Sequence, residues 1–177
     1  RFAVYFSHSW RPRDVDLNLQ LSDQLAGRCE LLVDIPDEPG ANPPYYINRI
    51  EELFRRTDFF VSVLTYREAA EGATEPGDAR LRCSPYSLFE VRLAERADMP
   101  RLILYERSTG FRAPQRNRPG EIYIPFDRGS RDRLPEQRQW ETVVRPKIQD
   151  WTEWAARNSA PTSYEQSMCA LVLAGAV

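Results

Sequence analysis

Residues 58 to 65 read DFFVSVLT, and this run constrains the fold more than any other. A strand with one wet face alternates apolar and polar residues, whereas this one is apolar almost throughout, so both of its faces are covered. Such a strand belongs inside a parallel sheet sandwiched between helices. The flanking sequence supplies both kinds of element. DVDLNLQLSDQLAGR carries Leu17, Leu21 and Leu25 at helical spacing and stops at Gly27, and YYINRIEELFRRT gathers Tyr46, Ile50, Leu53 and Phe54 on one face. RFAVYF, CELLVD, RLILYE and EIYIPF are further short runs of β-forming residues. Strands alternating with helices imply right-handed crossovers. Five strands in this rhythm predict an α/β, flavodoxin-like parallel sheet of order 2-1-3-4-5 with helices on both faces. Residues 136 to 157 read as a last helix with Trp140, Val144, Ile148, Trp151 and Trp154 on one side, kinked or split by Pro146.

A chain of 177 residues with 42% hydrophobic and 28% charged residues suits one globular domain. Residues 1–157 are expected to form it. Residues 158 to 177 open with linker-like composition, end apolar, and are expected to lead towards a downstream sensor domain or partner. The chain starts inside a strand pattern without Met, which reads as a piece of a longer protein. A net charge of −2 gives no reason to expect nucleic-acid binding. All but one of the 24 basic residues are arginine, a pattern that codon bias in a GC-rich genome explains. Cys29, Cys83 and Cys169 have unrelated spacings, which suggest neither a disulfide framework nor a metal site and fit a reducing, cytoplasmic compartment. No apolar run approaches the roughly 18 residues that span a bilayer, so no membrane is expected.

Sheets of this type bind ligands beyond the carboxyl ends of their strands, at the switch point between strands one and three. Two segments frame that crevice: SHSW after strand one, and the long loop of residues 66 to 82. The loop leads into CSPYSLFEVRLAERAD, which reads as a helix capped by Ser84 with Pro85 in its first turn. At about 100° per residue, Tyr86, Phe89, Leu93 and Ala97 form an apolar stripe, and Glu90 falls inside it. Burying an unpaired carboxylate is expensive. Glu90 either pairs with an arginine such as Arg82 or Arg49, or lines the crevice as a functional group. In the SHSW loop, Ser7 and Ser9 are candidates to bond phosphate or ribose. His8 is a plain loop residue or a participant in chemistry. Trp10 covers a ligand ring or the sheet edge, and Tyr86 stacks or packs. No glycine-rich phosphate fingerprint occurs, which argues against Rossmann and P-loop modes. SHSW, LTYRE and YERSTG stand where a response-regulator receiver needs its acidic pair, Asp and Lys, so that reading fails.

The boxes together resemble a Toll/interleukin-1 receptor (TIR) domain of the bacterial kind. FAVYFSHSW is similar to the first-strand box, and LLVDIPDEPG to the second box that opens the BB loop. NRIEELFRRTDFFVSVLTY is similar to the following helix and strand, and RLILYE to the fourth strand. YSLFE stands in the place of the Trp-Cys-x-x-Glu motif, with Tyr86 for the Trp and Ser87 for the Cys. The resemblance covers about residues 1 to 126. It implies cleavage of NAD+ at the nicotinamide–ribose bond with Glu90 as catalytic residue, and a role as effector in bacterial defence. NAD+ is then substrate, and neither a cofactor nor a metal is expected. It also implies head-to-tail self-association through the BB loop, whose residues here include Asp34, Pro39 and Gly40, with Asp34 fixing the turn. The chemistry suits a single carboxylate. Glycosidases use two because the leaving oxygen needs a proton. Nicotinamide leaves NAD+ neutral, so only the positive charge growing on ribose needs stabilising. The product is ADP-ribose or its cyclic form. A non-catalytic TIR scaffold is the alternative, and a nucleoside-processing enzyme of similar fold is a third reading.

Overall fold

The architecture is that of a computed structural model, which describes residues 1–34, 43–67, 82–115, 118–128 and 132–159. Five strands form one sheet: β1 Phe2–Ser7, β2 Cys29–Leu32, β3 Phe59–Leu64, β4 Arg101–Glu106 and β5 Glu121–Phe126. Their order is β2-β1-β3-β4-β5, and every ladder is parallel. All six residues of β3 are buried, as its apolar run requires. β4 and β5 occupy the residues expected of them. β1 runs one residue further than the apolar run, to Ser7, and pairs Ser7 with Ser62 of β3.

Side chains alternate across the pleat. Phe2, Val4 and Phe6 therefore face one layer, built from Leu17, Leu21 and Leu25 of α1 (Val15–Ala26) and Ile148 and Trp151 of the last helix. Tyr5 faces the other layer, with Phe60 and Leu64 of β3. There it meets Leu53 and Phe54 of α2 (Pro43–Arg55) and Val91 and Ala94 of α3 (Pro85–Arg96). Each fully buried leucine or phenylalanine contributes on the order of 2 kcal/mol, so these two layers carry the fold. Helix α2 begins at Pro43, two residues before the expected YYINRIEELFRRT, because proline is tolerated in a first turn. Pro39 and Gly40 of the expected BB loop lie outside the described residues, as does residue 160 onward.

The last helix is interrupted by a wide turn just before Pro146. A short α4 (Gln137–Gln139) leads into a π turn, Trp140–Val144, and then α5, Arg145–Asn158. The Arg145 N–H donates to the Trp140 carbonyl, five residues back, so the wide turn precedes the proline, which sits in the first turn of α5. Trp140, Val144, Ile148 and Trp151 are buried and Trp154 is partly so, which keeps the expected side inward.

The ends of β3, β4 and β5 are tied by a buried ionic cluster that the sequence pattern did not announce. Arg128 pairs with Asp14, and its Nε lies 3.2 Å from Glu106 Oε2. The same Glu106 oxygen accepts the Tyr66 N–H at 2.7 Å, and Asp14 accepts the Thr65 hydroxyl at 2.9 Å.

Candidate active site

Beyond the carboxyl ends of β1 and β3 lies a cavity of about 360 Å³, small for a ligand cleft. Its walls include Ser7, His8, Ser9, Trp10, Asp34, Tyr86 and Glu90. The described candidates from three separate segments thus meet at one place.

Helix α3 delivers Glu90. Ser84 Oγ accepts the Ser87 N–H at 3.4 Å, and Pro85 fits the first turn, so the helix starts where the capping pattern put it. The inward face differs from the expected stripe. Ser87, Glu90, Val91 and Ala94 are buried, whereas Tyr86 is 37% exposed and Ala97 is exposed. The face is turned by about one residue, roughly 100°. The reason is that the first turns of α3 look over the cavity, where small and polar side chains fit and aromatic ones move to the flanks. The turn leaves Glu90 at the centre of the buried face, 2% exposed.

No arginine among the described residues pairs with Glu90. Two hydroxyls hold it instead. Tyr5 donates to Oε1, and Ser7 donates to Oε2 at 2.5 Å. Tyr5 and Ser7 are two apart on β1 and so share a face. Ser62, level with Ser7 on β3, donates in turn to Ser7 Oγ at 3.3 Å. The Tyr5 ring is fixed between Phe54 and Phe60, with centroids 4.9 and 5.8 Å away. Burial, then the Glu90 charge, raises the Tyr5 phenol far above its ordinary value, so it keeps its proton and donates. Burial pushes Glu90 from 4.5 to about 7, the nearby Asp34 adds to the rise, and the two hydroxyls oppose it. Tyr5 and Ser62 are the partners that sequence reasoning missed. The two-residue offset from Ser7 was a signal for Tyr5, and a lone hydroxyl in an apolar strand was one for Ser62.

Arg49 binds Asp34 through two contacts, Nε to Oδ1 at 2.5 Å and Nη2 to Oδ2 at 3.0 Å. Tyr86 donates its hydroxyl to the same carboxylate. Asp34 is therefore anchored at the end of the β2 segment, and Tyr86 is held along the rim by its tip. Arg49, proposed as a partner for Glu90, belongs to Asp34.

The SHSW loop is built around Asn18 of α1. The Asn18 amide donates to the Ser9 carbonyl at 2.7 Å and to His8 Nδ1 at 3.1 Å. His8 Nδ1 also lies 3.2 Å from the Ser9 carbonyl oxygen. Burial holds the imidazole below its ordinary pKa, so it is neutral. His8 packs between Phe6 and Trp10, with centroids 4.8 and 4.5 Å apart. Ser9 is 4% exposed, and its Oγ accepts the Arg11 N–H at 3.3 Å, so its hydroxyl serves the loop. Trp10 does not bury itself on the sheet edge. It is 55% exposed at the cavity wall with one side against His8.

The arrangement offers a carboxylate that no arginine among the described residues pairs with, oriented by two hydroxyls and flanked by exposed aromatic rings. It suits a ligand that is planar at one end and develops positive charge near Glu90. Neither a protein-family model nor a curated protein matches the sequence.

Proposed function

We propose that this chain is a TIR-like domain that cleaves NAD+ at the nicotinamide–ribose bond. The observation that carries the reading is the buried Glu90 carboxylate at the switch point of the sheet, held by Tyr5 and Ser7 and paired with no arginine among the described residues. The cavity takes the nicotinamide ribose, with Trp10 and Tyr86 beside the ring. The C1′–N bond breaks, its electron pair stays on the pyridine nitrogen, and nicotinamide departs neutral. The positive charge left on ribose lies against Glu90, whose remaining lone pairs accept ribose hydroxyls. Water adds to C1′ and loses a proton, giving ADP-ribose, or an adenine nitrogen adds and gives a cyclic product. Glu90 stabilises charge that exists only near the transition state, which is where binding accelerates a reaction.

Head-to-tail self-association through the segment after Asp34 belongs to the same proposal, because a heterologous contact can propagate and complete neighbouring sites. The test is release of nicotinamide by wild type and Glu90→Gln, run over about a hundredfold range of protein concentration. Glutamine keeps the shape and can still pair with both hydroxyls. The variant should lose about 100-fold or more in rate while keeping the wild-type circular dichroism. An active wild type whose Gln variant retains more than about a tenth of the rate removes Glu90 from the reaction. A specific activity independent of concentration removes the assembly component.

A further inference from the structure

Next to the Glu90 cavity lies a second cleft of about 430 Å³, lined by Arg11, Arg13, Tyr66 and Arg67. Arg67 is also part of the wall of the Glu90 cavity, so the two spaces share a side chain. Among the described residues, two of its arginines lack a carboxylate partner. Asp14 and Glu106 are its nearby carboxylates, and Arg128 engages both. Glu106 also lies 3.5 Å from Arg13 Nη2. Arg11 spends Nη1 on the Tyr66 carbonyl, a neutral acceptor, at 3.2 Å. Among the described residues neither Arg11 nor Arg67 has a carboxylate partner, and Arg67 Nε is buried without a hydrogen bond. Among the described residues Arg13 and Arg128 are thus engaged by carboxylates, and Arg11 and Arg67 are left over. Burial, then the charge of Arg11, lowers the basicity of Arg67, which is the mark of a cation crowded by its neighbours.

We infer that this arginine cleft is the diphosphate subsite for a dinucleotide whose ribose end lies against Glu90. The inference rests on the NAD+ reading for the occupant of the first cavity. Guanidinium groups present paired N–H donors that match phosphate oxygens. A diphosphate carries the charge that offsets the local excess, and two linked phosphates reach more of the guanidinium groups than one. The shared Arg67 wall reproduces the connectivity of a dinucleotide, in which diphosphate and ribose are neighbours. The subsite would make the domain bind dinucleotides more tightly than free nucleosides.

The test is equilibrium binding of ADP-ribose and of nicotinamide riboside to the whole chain at fixed ionic strength, by calorimetry. Losing one charge-assisted contact typically weakens binding about tenfold or more. Arg67→Ala and Arg11→Ala should each lose ADP-ribose affinity by that factor, and Arg67→Lys should recover part of it. Arg145→Ala, far from the cleft on α5, should bind as wild type does. Nicotinamide riboside binding should not change in Arg11→Ala, because Arg11 lines the second cleft and not the Glu90 cavity. Thermal melting of each variant separates misfolding from a lost contact. ADP-ribose affinity unchanged in both alanine variants, or no binding to wild type, overturns the subsite. Because the readout needs no turnover, ADP-ribose binding that depends on Arg67 in a protein unable to cleave NAD+ keeps the subsite and sinks the glycohydrolase reading. Cleavage with an unaltered KM in the alanine variants sinks the subsite alone.

Discussion

At the scale of single residues, the Glu90 site turns on a balance between burial and two hydrogen bonds. Burial favours the neutral acid, and Tyr5 and Ser7 favour the anion. With the carboxyl at about 7, roughly half of the molecules carry the anion at neutral pH. The proposed chemistry uses the anion. NAD+ cleavage, followed as kcat/KM, should therefore rise with pH through about 7 and level off above it. A cationic ring beside the carboxylate favours its charged form, so the limb in kcat should lie at lower pH than the limb in kcat/KM. Ser7→Ala removes one donor to the anion and should move the kcat/KM limb upward. A flat profile between pH 5 and 9, or a limb that falls across about 7, would separate Glu90 ionisation from turnover.

At the scale of elements, the strands and the start of α3 were legible because each carries a strong local signal. β4 and β5 are bounded by charged residues or loops, and Ser84-Pro85 marks the start of α3. The buried face of α3 was misplaced because a wheel counts Tyr86 and Phe89 as inward, whereas this helix turns its first two turns towards a cavity. Glu90 was found from its own helix, but its partners lie 85 and 83 residues away on β1, and such contacts exist only once the crossover is built. The Arg128 cluster was hidden for the same reason. The π turn before Pro146 was half legible, since a proline in a periodic helix demands some irregularity without saying which. The join between β5 and α5 gives a sharper forecast. Gly120 has φ +80°, and an added Cβ would stand 2.1 Å from the Trp154 ring. Trp151 Nε1 also donates to the Gly120 carbonyl at 3.0 Å, so the backbone there has little room to move. Gly120→Ala should destabilise the domain by about 2–4 kcal/mol, from backbone strain plus a displaced tryptophan. A urea midpoint within error of wild type would contradict this packing.

At the scale of the whole molecule, nearly all of the chemistry sits on one edge of an otherwise apolar sandwich. The carboxyl edge carries Glu90, the arginine cleft and the Arg128 cluster side by side. Two of these respond to pH in opposite senses. Burial raises Asp14, but the bonds from Arg128, Ser9 and Thr65 and the Arg128 charge outweigh it and hold the group below its ordinary 3.8. Its stabilisation is thus present above about 3.8 and is lost as pH falls through the lower folded value. Glu90 has the reverse sign. Its folded pKa of about 7 exceeds 4.5, so between those values the folded state binds more protons than the unfolded chain. Stability from this group is full below about 4.5 and declines as pH rises to about 7. The loss is on the order of 3 kcal/mol. The domain should therefore be most stable at mildly acidic pH and become less stable over the range in which its proposed activity rises. Glu90→Gln abolishes that titration. Its thermal midpoint should match wild type near pH 4.5, exceed it at pH 8, and show no decline between the two from this site. Melting curves of both proteins from pH 4 to 9 measure the difference directly. Parallel curves across that range would show that the Glu90 carboxyl ionises without cost, and the strained anion on which the proposed catalysis depends would be lost with it.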